Sequence, residues 1–155
     1  MSTLQTGKAV PPLKLPATGD KTVDLKSLRG KNVVLYFYPK DNTPGCTTEG
    51  QDFAASYAKF KRLNTEVLGI SRDTVAAHEK FRAKFNFPFD LLSDTEERAC
   101  ALFNVIKEKN MYGRKVLGIE RSTFLIDAAG KLRHEWRKVK IAGHVDEVLA
   151  AVREL

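Results

Sequence analysis

Hydrophobic and polar positions switch between two periods along the chain, and the switches mark the elements. Asn32-Val-Val-Leu-Tyr-Phe-Tyr38 is a continuous β-branched and aromatic run closed by Pro39, the pattern of a strand buried on both faces. After the turn-rich stretch Lys40 to Gly45, apolar residues recur at Phe53, Tyr57, Phe60 and Leu63, a spacing of three and four that puts them on one face of a helix. The pattern then predicts a strand over 66–71, a helix around 74–85, an extended piece near 89–92, a helix around 95–103 and a strand over 122–126. Asp127-Ala-Ala-Gly130 reads as a tight turn into a further strand over 131–139, and a closing helix runs from about His144 to Arg153. In residues 1–30, Pro11, Pro12, Pro16, Gly19 and Gly30 permit only short extended pieces, the mark of an N-terminal arm or β-hairpin.

Alternating strands and helices with a hairpin near the C-terminus predict an α/β fold, a central mixed β-sheet flanked by helices. No repeat, low-complexity tract or linker divides the 155 residues, so a single domain over 1–155 is expected. Nine Phe, four Tyr and one Trp supply enough apolar volume for a core that needs neither disulfide nor structural metal. The longest apolar run, Val33 to Tyr38, is six residues, against about 20 for a membrane-spanning helix. The first residues show no basic-then-apolar leader and no Arg/Ser-rich transit pattern, so the expected compartment is the cytoplasm. A net charge of +7 raises nucleic acid as a partner. The basic residues are interleaved with acids, however, apart from groups at Lys59–Arg62, Lys107–Lys115 and Lys131–Lys140, which argues against a dedicated interface. The last of these groups reads as an edge strand whose charges discourage edge pairing.

Several chemistries lack their signatures. There is no G-x-G-x-x-G, G-x-S-x-G, H-E-x-x-H or C-x-x-C, and Gly113 to Gly118 has the first spacing of a phosphate loop without the Lys-Ser/Thr that must follow. His78, His134 and His144 have no ligand-like spacing with the cysteines and read as surface or hairpin residues, so no metal and no cofactor is expected. What remains is Tyr36-Phe-Tyr-Pro-Lys-Asp-Asn-Thr-Pro-Gly-Cys46-Thr-Thr-Glu, where a buried strand turns into an amphipathic helix. Ligand sites of α/β sheets lie at such carboxyl ends of strands. Pro44 and Gly45 suit a helix entry, which puts Cys46 in the first turn beside unpaired N–H groups and the positive dipole end. That setting favours the sulfur anion.

The residues Pro39, Thr43 and Cys46 reproduce the Pro-x3-Thr-x2-Cys motif of the peroxiredoxins, and the string YFYPKDNTPGCTTEG resembles their bacterioferritin-comigratory (BCP), or PrxQ, branch. Far downstream, Gly118-Ile-Glu-Arg121-Ser-Thr-Phe-Leu-Ile-Asp127 resembles the segment that carries the family's active-site arginine. The resemblance implies a thioredoxin-like fold, with Cys46 the peroxidatic nucleophile, Thr43 a hydroxyl contact to the peroxide, Pro39 a shield from water and Arg121 the cationic partner. Glu49 is expected to support the site from behind. The implied activity is thiol-dependent reduction of hydrogen peroxide and organic hydroperoxides by a monomer, with thioredoxin, glutaredoxin or glutathione as reductant.

Ionisation alone does not make a fast peroxidase. An ordinary thiol is about 3% ionised at neutral pH, so full ionisation gains about 30-fold. The accompanying loss of nucleophilicity, at a Brønsted slope of ~0.4–0.5, removes most of that gain. The site must therefore stabilise charge moving onto the two peroxide oxygens, and Arg121 offers several donors in one rigid fork.

The sequence departs from the branch at its second cysteine. Many members carry a resolving cysteine five residues after the first, where this chain has Gln51, and others some 36 residues after it, where it has Arg82. Cys100 occupies neither place; it reads as a core thiol, with an atypical resolving cysteine as the alternative. A one-cysteine cycle is expected, in which an external thiol recycles the Cys46 sulfenic acid. The rival readings are a non-catalytic thioredoxin-fold binding module and a basic nucleic-acid-associated protein.

Overall fold

The computed structural model describes residues 4–155. The fold is organised around a strand with no exposed face: β3 (Asn32–Phe37) buries Val33, Leu35 and Phe37 on one side and Val34 and Tyr36 on the other. It pairs in parallel with β4 (Thr65–Ser71) and antiparallel with β8 (Ser122–Ile126). β5 (Leu91–Ser93) continues the parallel side, and β1 (Lys14–Ala17) and β2 (Lys21–Asp24) form the expected N-terminal hairpin at that edge. β9 (Leu132–Trp136), paired with β8, closes the other edge, where the Lys- and Arg-rich stretch was expected. The seven-stranded order is β2-β1-β5-β4-β3-β8-β9, a mixed sheet.

Two cores follow from the two faces. α1 (Pro44–Arg62), α2 (Val75–Phe85) and α4 (His144–Arg153) supply Phe53, Phe60, Phe81, Val148 and Leu149 to the face that holds Tyr36 and Tyr38. α3 (Arg98–Phe103) and the N-terminal arm supply Ala99, Phe103, Val10 and Leu13 to the face that holds Leu35 and Phe37. Each fully buried Leu or Phe contributes about 1.5–3 kcal/mol, so β3, packed on both sides, is the main support of the site at its carboxyl end.

The predicted boundaries need three corrections. The helix expected from residue 95 begins at Arg98, because the Asp94 carboxylate accepts the N–H groups of Ala99 and Cys100 (3.1 and 2.8 Å) and Glu97 turns left-handed. The strand expected to reach 139 ends at Trp136, because Arg137 donates to the carbonyls of Phe103 and Asn104 and Lys138 has φ of 49°. Residues 106–119, unassigned by periodicity, form a separate two-stranded ribbon of β6 (Ile106–Met111) and β7 (Arg114–Ile119). Among the described residues no helix is long and apolar enough to cross a membrane.

Candidate active site

Tyr38 continues the ladder of β3 by donating its N–H to the Ile70 carbonyl (3.1 Å). Pro39, half-buried, has no N–H with which to extend it. The chain turns across the carboxyl ends of β3 and β4, and extended Thr43 becomes the N-cap residue of α1 with Pro44 at the first helical position. Cys46 is thus the third helical residue, as the sequence predicts. Helix geometry leaves the N–H groups of Gly45 and Cys46, in the first turn, without intrahelical acceptors.

Thr43 does not cap the helix with its side chain; its hydroxyl donates to the Lys40 carbonyl at 2.9 Å. Its proton is committed there, so towards a ligand the oxygen acts as an acceptor. Cys46 is only 2% exposed. Arg121 reaches it from the turn between β7 and β8, where its own carbonyl is held by the Val139 N–H (3.0 Å). The fork divides between two partners: Nη2 donates to Cys46 Sγ at 3.4 Å, and Nη1 donates to Glu49 Oε1 at 2.6 Å. Gly45 allows this approach, since a Cβ there would sit 3.2 Å from Arg121 Nη2 and 3.3 Å from Ile141 Cδ1.

Glu49 lies one turn beyond Cys46 on the same face of α1 and is fully buried. Its Oε1 is paired, and its Oε2 has no partner among the described residues. Burial pushes its carboxyl up to about 7, against the lowering effect of Arg121. For Arg121 burial opposes the positive charge, but the adjoining Glu49 and Cys46 outweigh it and the pKa is raised. The arrangement is a desolvated cation shared between a sulfur and a carboxyl near its balance point.

A second network, which sequence reasoning missed, fixes the loop. His78 is not a surface residue: it is fully buried on α2, with Nδ1 2.7 Å from Asp41 Oδ2 and Nε2 donating to the Leu92 carbonyl at 2.8 Å. Tyr38 donates its hydroxyl to the other Asp41 oxygen (2.6 Å), and the Asp41 N–H donates to Asp73 (2.9 Å). The loop between β3 and α1 is thereby tied to α2, β4 and β5. Asp41, Asp73 and His78 are near enough to share a cation, but both ring nitrogens and the Asp73 Oδ2 are engaged within the protein. His144, also expected at the surface, is buried beside Thr123, whose hydroxyl lies 2.7 Å from Nε2. Burial, with Arg121 nearby, lowers its pKa to about 4. Neither histidine had a sequence signal beyond helical spacing with neighbouring apolar residues.

Cys100 is placed elsewhere. It lies fully buried with Leu35, Phe37 and Phe103 on one face of the sheet, whereas Cys46 packs with Tyr36 and Phe53 on the other. Burial and the adjoining Asp94 push its thiol well up. Gln51 and Arg82, at the two usual resolving positions, are exposed on α1 and engaged with the Phe89 carbonyl (2.9 Å), respectively. A groove of about 170 Å³ between Val10, Pro12, Leu25, Arg29 and Ile126 reaches Val33, at the other end of β3 from the Cys46 loop.

Comparison with known proteins gives the family. The sequence profile of the AhpC/TSA family matches residues 6–135. The chain belongs to this family. Within it the chain is similar to Peroxiredoxin Bcp of Xanthomonas campestris, 53% identical over 141 residues, 91% of this chain and 88% of that protein. It is 46% identical to Peroxiredoxin Bcp of Bacillus subtilis over 153 residues, 99% and 98% of the two chains. A solved structure of the X. campestris bacterioferritin comigratory protein, studied for its alkyl peroxide reduction activity, superposes with a TM-score of 0.90 at 49% identity, covering 99% of this chain and 98% of that one. The chain is therefore an AhpC/TSA protein of the Bcp/PrxQ peroxiredoxin branch, with the thioredoxin-like fold of those relatives.

Proposed function

We propose that this protein is a thiol-dependent peroxidase that reduces hydrogen peroxide and organic hydroperoxides at Cys46, as a monomer in the cytoplasm. The observation that carries the reading is the 3.4 Å contact of Arg121 Nη2 with Cys46 Sγ at the mouth of α1. The sulfur anion attacks one oxygen of the hydroperoxide. An S–O bond forms as the O–O bond breaks, sulfur loses two electrons, and the other oxygen leaves as hydroxide from hydrogen peroxide or as an alkoxide from an organic hydroperoxide, taking a proton from solvent. Arg121 and the free N–H groups of Gly45 and Cys46 stabilise charge as it moves onto the oxygens. The Thr43 oxygen accepts the hydroperoxide O–H, and Pro39 shields the sulfur from water. An external thiol then attacks the sulfenic acid, releasing water and forming a mixed disulfide, and a second thiol frees Cys46. The placement of Cys100 across the sheet supports this one-cysteine cycle.

The test is mass spectrometry after one equivalent of hydroperoxide under non-reducing conditions, with a dione trap for sulfenic acid. A single adduct on Cys46, lost in Cys46→Ser, is expected. An intramolecular Cys46–Cys100 bond would overturn the one-cysteine cycle, and an unreacted Cys46 would leave the chain a binding module.

A further inference from the structure

We propose that Arg72 and Lys109 form a subsite beside Cys46 for the carboxylate of a small-molecule reactant. The inference rests on the peroxidase reading and names the chemistry of what that site admits. In the β6–β7 ribbon Lys107 pairs with Gly118 and Lys109 with Val116, so these four residues share one face. A Cβ on Gly118 would lie 3.5 Å from Lys109 Cδ, 3.7 Å from Lys109 Cε and 3.8 Å from Arg72 Nη2. Two cationic side chains therefore converge over a position that has no side chain of its own. Three residues further along, Arg121 meets the sulfur.

Neither cation is fully engaged. Arg72 donates through Nη1 to Glu97 (3.0 Å), leaving Nη2 turned to the space above Gly118. Lys109 is half-buried; its ammonium donates to the Ile119 carbonyl, and among the described residues it forms no ion pair. Burial first, then Arg121 and, more weakly, Arg72 make its positive charge less favoured than usual, while Cys46 and, least of all, the Glu120 carboxylate act in the opposite sense. An incoming carboxylate relieves that repulsion, with one oxygen towards Arg72 Nη2 and the other towards the remaining ammonium protons of Lys109. Carboxylates can arrive on either reactant of the cycle, as a hydroperoxide of a carboxylic acid or as an acidic thiol.

The experiment has one arm for each source. Stopped-flow oxidation compares a carboxylate-bearing hydroperoxide with its neutral methyl ester, and reduction of the sulfenic form compares 3-mercaptopropionate with 2-mercaptoethanol. Lys109→Gln and Arg72→Gln should each lower the anionic-to-neutral rate ratio about five-fold in at least one arm, the size of one partly exposed charge contact. Gly118→Leu, which fills the space without removing a charge, should lower the same ratio. A fall in the first arm assigns the subsite to the peroxide and a fall in the second to the thiol; ratios unchanged in both overturn it. Failure of the peroxidase reading is distinct, because the parent would then react with neither the acid nor the ester.

Discussion

Burial brings the Glu49 carboxyl close to balance near neutral pH. Its pKa, near 4.5 in the unfolded chain, is raised to about 7 by burial. Between those values the native state holds a proton that the unfolded state has lost, so its contribution to stability is complete below about pH 4.5 and is lost as pH rises through 7. His144 works in the opposite sense: lowered from 6.5 to about 4 by burial and Arg121, it contributes stability above pH 6.5 that is lost as pH falls through 4. The two windows overlap, so only a variant separates them. In urea unfolding, the stability of Glu49→Gln relative to the parent should rise by about 2 kcal/mol from pH 5 to pH 7.5. A difference that stays flat with pH would contradict a carboxyl held near neutrality by burial. At this scale the sequence singles out Pro39, Thr43, Cys46, Glu49 and Arg121 through two separated motifs, and the structure brings Arg121 to Cys46 and Glu49. The sequence is silent on His78 and His144, because a buried histidine and an exposed one occupy the same place in a hydropathy pattern and differ only in which distant groups, Leu92 O or Thr123 Oγ1, come to meet them.

At the level of elements, α2 acts as a brace for the Cys46 loop through His78. Loss of that ring strands the Asp41 carboxylate and the Leu92 carbonyl without their partner in a dry interior, at a cost of about 2–4 kcal/mol. His78→Leu should therefore lower the urea midpoint. It should also make the bond segments between Pro39 and Thr43 more sensitive to limited proteolysis than those of the N-terminal hairpin. Equal protection of both would show that the contact does not hold the loop. Elements packed on two faces, such as β3, or carrying a long apolar stripe, such as α1, were legible because burial dictates their period. The β6–β7 ribbon was not. Residues 112–117 are exposed, and the half-buried positions Lys107 and Lys109 carry charged side chains beside Glu108 and Lys115, so no apolar–polar alternation is left to read. The turn also places Tyr112 and Gly113 at φ of 53° and 79°, where only the glycine is a sequence signal.

For the whole molecule, the decisive fact is that the sheet separates the two cysteines while bringing Arg121, 75 residues away along the chain, to Cys46. In the proposed mechanism Arg121 accelerates O–O cleavage beyond any effect on the amount of sulfur anion. The most direct measurement is the second-order rate constant for oxidation of Cys46 by hydrogen peroxide in stopped flow, divided by the thiolate fraction read from absorbance at 240 nm, for the parent and Arg121→Ala. Loss of a preorganised donor to the developing charge predicts a fall of about 100-fold or more in the rate per thiolate. A rate per thiolate that is the same in both proteins would contradict it.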